Sequence, residues 1–244
     1  MDDYDEFDYS GSPGETYTIV EDRVETVGGR ARGGYSFSRR ELRDIAISMV
    51  VLAAAFMILY RDDAIMSYLS YHLGDTLSWV ALFCVCFVLV FLSFLLHELG
   101  HKFAAQGFGM WSEFRMFPMG LLLTLVSSAF GFLFAAPGAV VIQGRATKEE
   151  NGKIGIAGPV VNIVLAAVGI AGCLLTNYSA AVLFFSMFAY LNAFLAVFNL
   201  LPIPPLDGSK IWKWSIPVYI VAFAVAALEL AYLFLWMPDL YFRY

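Results

Sequence analysis

The sequence predicts an all-α polytopic membrane protein with about five transmembrane helices, a re-entrant hairpin and a disordered acidic N-terminal tail. Three observations predict it. Of 244 residues, 60% are hydrophobic and 15% charged, and mean hydropathy is +0.70. The apolar residues fall in several long runs, which read as bilayer-spanning segments rather than as a globular core. The first 38 residues break that pattern.

That tail holds nine acidic residues against three arginines, with glycines at 11, 14, 28, 29, 33 and 34. Low hydrophobicity and excess charge cannot order a chain by burial, so residues 1–38 read as a solvated cytoplasmic extension. The acidic start argues against a secretory signal, whose first residues are basic. Residues 39–244 form the membrane domain. Apolar length gives spans near 44–60, 78–106, 154–176, 181–203 and 215–237. His72 and Asp75 fall in an outside loop as solvated residues. Cys84, Cys86 and Cys173 lie within apolar runs at spacings that fit neither a disulfide framework nor a zinc knuckle, so they read as free thiols.

One further apolar stretch, 119–143, is interrupted by Gly131, Pro137 and Gly138. If it dips in and returns, the cytoplasmic side holds Arg39, Arg40, Arg43, Lys102, Arg115, Arg145, Lys148, Lys153, Lys210 and Lys213, and the outside only Arg61 and Arg243. A full crossing would move Arg145, Lys148 and Lys153 outward and invert every later segment. The positive-inside rule therefore favours a re-entrant hairpin and a cytoplasmic N-terminus in a multi-pass cell-membrane protein. Irregular backbone at that depth must be buried in protein or line a wet cavity, so the hairpin is expected beside a functional site.

Within the second span lies His97-Glu98-Leu99-Gly100-His101. A charged residue at the centre of a spanning helix costs about 2.5–3.5 kcal/mol on insertion scales, so the cluster needs a chemical compensation. Residues four apart share a helical face, and His97 and His101 can grip one metal while Glu98 stands beside it. Zinc can supply the compensation, at about 10–16 kcal/mol for structural sites in small peptides. A catalytic zinc takes three protein ligands, and the best third candidate is Asp207 in Asn199-Leu-Leu-Pro-Ile-Pro-Pro-Leu-Asp207-Gly208. Prolines 202, 204 and 205 stop the fourth helix and can turn that carboxylate inward. An Asp-Gly after prolines is otherwise commonly a turn.

With these residues in place, the chain resembles the site-2 protease family of intramembrane zinc metalloproteases. The resemblance rests on His97 to His101, on Gly158-Pro159-Val160-Val161-Asn162 and on Asn199 to Gly208, and covers about 78–214. It implies that His97, His101 and Asp207 bind Zn2+, that Glu98 is the catalytic base, and that Asn162 and Asn199 handle substrate near the metal. A primary amide both donates to and accepts from a peptide backbone, which suits that task, although interhelical bonding is an equal reading. Asn192, which no motif claims, reads as interhelical glue. The implied reaction is peptide hydrolysis in or near transmembrane segments of membrane-anchored proteins, by zinc-activated water with Glu98 taking the proton. The partners are then those substrates and the lipid bilayer, with no nucleic acid. A membrane metal-ion transporter would explain His97, His101 and Asp207 but not Glu98. An inactive family member that binds membrane proteins would not need Glu98 either. Glu229, the one acid in the last span, has two open readings: a water path or gate, or a pair with a polar neighbour.

Overall fold

The computed structural model describes residues 17–20, 23–26, 37–134 and 137–236. Within the expected tail, β1 (Tyr17–Val20) and β2 (Arg23–Thr26) pair antiparallel, with Tyr17 opposite Thr26. The rest of 1–36 lies outside the described residues, and this hairpin forms a unit separate from the membrane domain.

In the membrane domain, α1 (Arg39–Leu59) starts on Ser38, whose Oγ accepts from the Glu41 N–H at 3.1 Å. The segment expected as an outside loop folds instead as α2 (Ala64–Leu73), because Asp63 caps its N-terminus and Gly74, at φ +76°, ends it. Next, α3 (Asp75–Val90) passes through a π-helical turn, Phe91–Leu95, into α4 (Leu96–Gly107), making one apolar rod. Two long antiparallel partners follow, α6 (Lys148–Leu175) and α7 (Ser179–Asn199), then short α8 (Asp207–Trp214) and α9 (Ile216–Trp236). Among the described residues, five helical segments are long and apolar enough to cross a membrane. They match the five predicted spans. Here α6 begins six residues before the apolar run because Thr147 and Glu150 form a capping box.

The interrupted stretch holds α5 (Pro118–Ala129) and β4 (Gly138–Gln143), and the strand that pairs with β4, β3 (Trp111–Met116), precedes it. The two strands pair antiparallel with Trp111 opposite Gln143, so the chain returns to the level at which it left. Twelve residues of α5 reach about 18 Å, well short of a hydrocarbon core of about 30 Å. Gly138 (φ +152°) stands against the Arg115 carbonyl where a Cβ would collide, so the ribbon can close only with glycine there. The alternation from Trp111 to Met116, with Ser112 and Phe114 turned inward, is the strand signal that the apolar-run reading passed over.

Helices α6 and α7 pack closely. A Cβ at Gly169 would strike the Ala189 backbone, the close approach that small residues allow where lipid supplies no hydrophobic drive, and one at Gly172 would strike the Phe185 ring. Leu52, Leu82, Leu89, Phe114 and Met187 form the core joining α1, α3, β3 and α7. Val80, Val164, Val221 and Leu228 point outward, as a bilayer-facing surface requires. One buried ion pair crosses this core. Lys102 of α4 binds Glu41 of α1 at 2.8 and 2.9 Å and the Ser112 carbonyl of β3 at 3.0 Å, and both side chains are almost wholly buried.

Candidate metal centre

Helical spacing puts His97 and His101 on one face of α4, with ring centroids 4.7 Å apart and Nε2 atoms 3.0 Å apart. Asp207, the first residue of α8, brings Oδ2 to 2.9 Å from His101 Nε2 and 3.5 Å from His97 Nε2. All three side chains are buried. Among the described residues they are the one group of three or more such side chains whose donor atoms converge on a point suited to a metal. The proline-rich segment after α7 delivers Asp207 here because Gly208 lies against the Leu200 carbonyl, where a Cβ would overlap it.

Each histidine is fixed from behind by α6. His101 Nδ1 donates to the Ile154 carbonyl at 2.8 Å, and His97 Nδ1 donates to Asn162 Oδ1 at 2.5 Å. A carbonyl oxygen only accepts, so both Nδ1 atoms carry a proton, and in the neutral imidazole each Nε2 is left with the lone pair that a metal needs. Two lone pairs and a carboxylate oxygen crowded this closely repel one another unless a cation sits among them. The donor set therefore fits zinc, which favours imidazole nitrogen and carboxylate oxygen. Gly158 supplies the room: a Cβ there would strike Nε2 of both histidines. Lys210 Nζ occupies the other carboxylate oxygen, Oδ1, at 2.9 Å, which leaves Oδ2 facing the histidines.

Glu98 is buried beside the histidines, with the backbone N–H of Val140 on β4 facing its carboxylate. Asn162 is wholly buried beneath His97, with Nδ2 donating to the Ser93 carbonyl (3.1 Å) and to Asn192 Oδ1 (2.8 Å). Asn199 lies half-buried at the end of α7 and donates to the Leu195 carbonyl one turn back. The structure thus brings together His97, His101 and Asp207, with Asn162 behind them, and sets Asn199 where the chain turns toward Asp207. Sequence reasoning missed Lys210, three residues after Asp207 on the same helix and so within reach of it. It also missed the Ile154 carbonyl and the Val140 amide, which no side-chain pattern could reveal.

Five apolar helices around a buried pair of histidines and a carboxylate define the class, a membrane-embedded metalloprotein. The comparisons with known proteins make it particular. Residues 175–222 match the family model described as peptidase family M50. MJ0611 of Methanocaldococcus jannaschii, which bears the name of a candidate zinc metalloprotease, is 39% identical over 184 residues, 74% of this chain and 87% of that protein. YwhC of Bacillus subtilis, similarly named, is 32% identical over 53% of this chain and 68% of its own length. The zinc metalloprotease MJ0392 of M. jannaschii is 28% identical over 73% of this chain, which spans 45% of it. No solved structure matches. The chain belongs to peptidase family M50, the site-2 protease family of zinc metalloproteases.

Proposed function

We propose that this chain is an intramembrane protease that hydrolyses peptide bonds in or near transmembrane segments of membrane-anchored proteins, with Glu98 as the base. The carrying observation is the convergence of His97, His101 and Asp207, with Glu98 buried alongside, inside a bundle of apolar helices. Zinc held by those three residues would supply a Lewis acid that polarises a carbonyl and acidifies water. Glu98 takes a proton from the attacking water as its oxygen bonds the peptide carbon, and returns that proton to the amine nitrogen as the carbon–nitrogen bond breaks. Lys210 keeps Oδ2 of Asp207 facing the histidines. Asn199 is the amide placed to meet substrate, while Asn162, closed off from the surface, acts through His97.

A substrate helix hides its carbonyls in internal hydrogen bonds, so it must unwind before cleavage. The β3–β4 ribbon is the element we assign to receiving it. The Phe114 N–H bonds Glu41 rather than β4, which makes Phe114 and its partner Val140 a non-hydrogen-bonded pair whose backbone groups face outward. The outward Val140 N–H faces Glu98. An extended segment added along that edge would bring its carbonyls beside the base. The antiparallel closure of the ribbon supports the re-entrant path, and with it a cytoplasmic N-terminus and a site toward the cytoplasmic face.

The test compares purified wild type with Glu98→Gln for zinc content and for cleavage of a single-span substrate. Equal zinc with cleavage by the wild type alone is expected. Cleavage by neither protein, with zinc uptake into vesicles carrying the wild type, would sink the proposal in favour of transport.

A further inference from the structure

Three side chains behind His97 form a closed polar chain that belongs to no motif as a whole: Asn162 on α6, Asn192 on α7 and Ser93 in the π turn. None has any solvent exposure. The direction of every bond in it is determined. The Phe188 carbonyl can only accept, and it lies 2.8 Å from one end of the Asn192 amide, so that end is Nδ2, which also reaches Ser93 Oγ at 2.9 Å. Asn192 must then present Oδ1 to Asn162, at 2.8 Å. The Ser93 carbonyl, 3.1 Å from the same Asn162 nitrogen, imposes the same choice. Asn162 is left with Oδ1 toward His97, which fixes a proton on Nδ1 and, in the neutral ring, leaves the lone pair on Nε2.

Without these anchors the Asn162 amide could rotate by half a turn. It would then donate to His97 Nδ1, drive the imidazole proton to Nε2 and abolish that ligand. In the observed arrangement such a flip sets Asn162 Oδ1 against two buried acceptors, the Ser93 carbonyl and Asn192 Oδ1. Leaving buried polar groups unmatched costs about 1–3 kcal/mol each. The π turn contributes directly, since it interrupts the regular carbonyl ladder immediately before the two histidines and the Ser93 carbonyl in it serves a side chain of another helix. His101 needs no such relay, because the backbone carbonyl of Ile154 has no second orientation to adopt.

We propose that Asn192 and Ser93 are positioning residues of the metal centre, which lock the Asn162 amide and through it the tautomer and ring direction of His97. The inference rests on the zinc reading above. Its test measures zinc affinity by competition with a chromogenic chelator, and the visible absorption of the cobalt-substituted protein, so neither readout depends on proteolysis. Wild type is compared with Asn192→Ala, Asn192→Asp, Ser93→Ala and, as a control on the same helix, Ser186→Ala, whose hydroxyl serves only the Leu183 carbonyl. Outer partners of this kind are worth about 10- to 100-fold in metal affinity. Both Asn192 variants should fall in that range with an altered cobalt spectrum, Ser93→Ala at its low end, and Ser186→Ala at wild-type affinity. If Asn192→Ala fails to fold, Asn192→Asp, nearly equal in volume but unable to donate to the Phe188 carbonyl, carries the comparison. Wild-type affinity and spectrum in every folded variant would overturn the relay alone. A wild type that binds no divalent cation would overturn the zinc reading and the relay with it.

Discussion

Helix α4 carries two buried polar clusters, around Lys102 and around His97 and His101, built on opposite principles. At Lys102 each charge meets its complement. The ammonium binds both oxygens of Glu41 and the Ser112 carbonyl and lies 4.5 Å from the Phe37 ring centre, while Glu41 Oε1 also takes the Phe114 N–H at 2.9 Å. At the histidines both Nδ1 protons point away, and two Nε2 atoms and a carboxylate oxygen, each able to ligate a metal, face one another. The first cluster is complete as a piece of protein. The second is complete only with a cation. Burial of charge therefore does not mark a site on its own; a surplus of one hydrogen-bonding sense does.

The largest effect that would break this contrast is at Glu98. Glu98→Gln keeps the metal ligands and should lower cleavage by about 100- to 10,000-fold, the range of general acid–base catalysis, with zinc content unchanged by elemental analysis. The Lys102 cluster should respond in stability instead. Lys102→Met alone strands a buried carboxylate and should cost about 3–5 kcal/mol, whereas Glu41→Leu with Lys102→Met should recover most of the loss. Denaturant unfolding in detergent reads both, and a double variant no better than the single would mean that the pair does more than neutralise itself. Gly158→Ala puts a methyl group against both imidazoles. About 1–3 kcal/mol of overpacking and weakened zinc uptake are expected, and a fully loaded variant would show that the donor set is looser than its geometry. The smallest effect belongs to the Glu149–Lys153 pair on the exposed first turn of α6, at 2.6 Å. Lys153→Ala should shift stability by no more than about 0.5 kcal/mol in the same unfolding measurement and leave zinc affinity untouched.

Much of this was legible without coordinates. The five spans follow from uninterrupted apolar length, because a helix in lipid must satisfy its own backbone and therefore advertises itself in composition. The histidine pair follows from helical periodicity, and Asp207 from the need for a third ligand. Less was legible where backbone atoms act. The outside loop that became α2 depends on a cap by Asp63 and a left-handed Gly74. The β3 strand is a six-residue alternation whose partner lies beyond an intervening helix. Asn192 looked like interhelical glue, and it does join helices, but the direction of its amide is set by a carbonyl visible only in three dimensions.

By itself, then, the sequence determined which segments are long and apolar enough to cross a membrane, which side chains could meet a metal, and the carboxylate beside them, since apolar length and the 3.6-residue repeat are local properties. Only the tertiary structure decided which ring nitrogen of each histidine turns away from the site, which oxygen of Asp207 faces the histidines and which strand lies beside Glu98. Each depends on which backbone carbonyl or amide a neighbouring helix or strand presents, and every residue carries the same two.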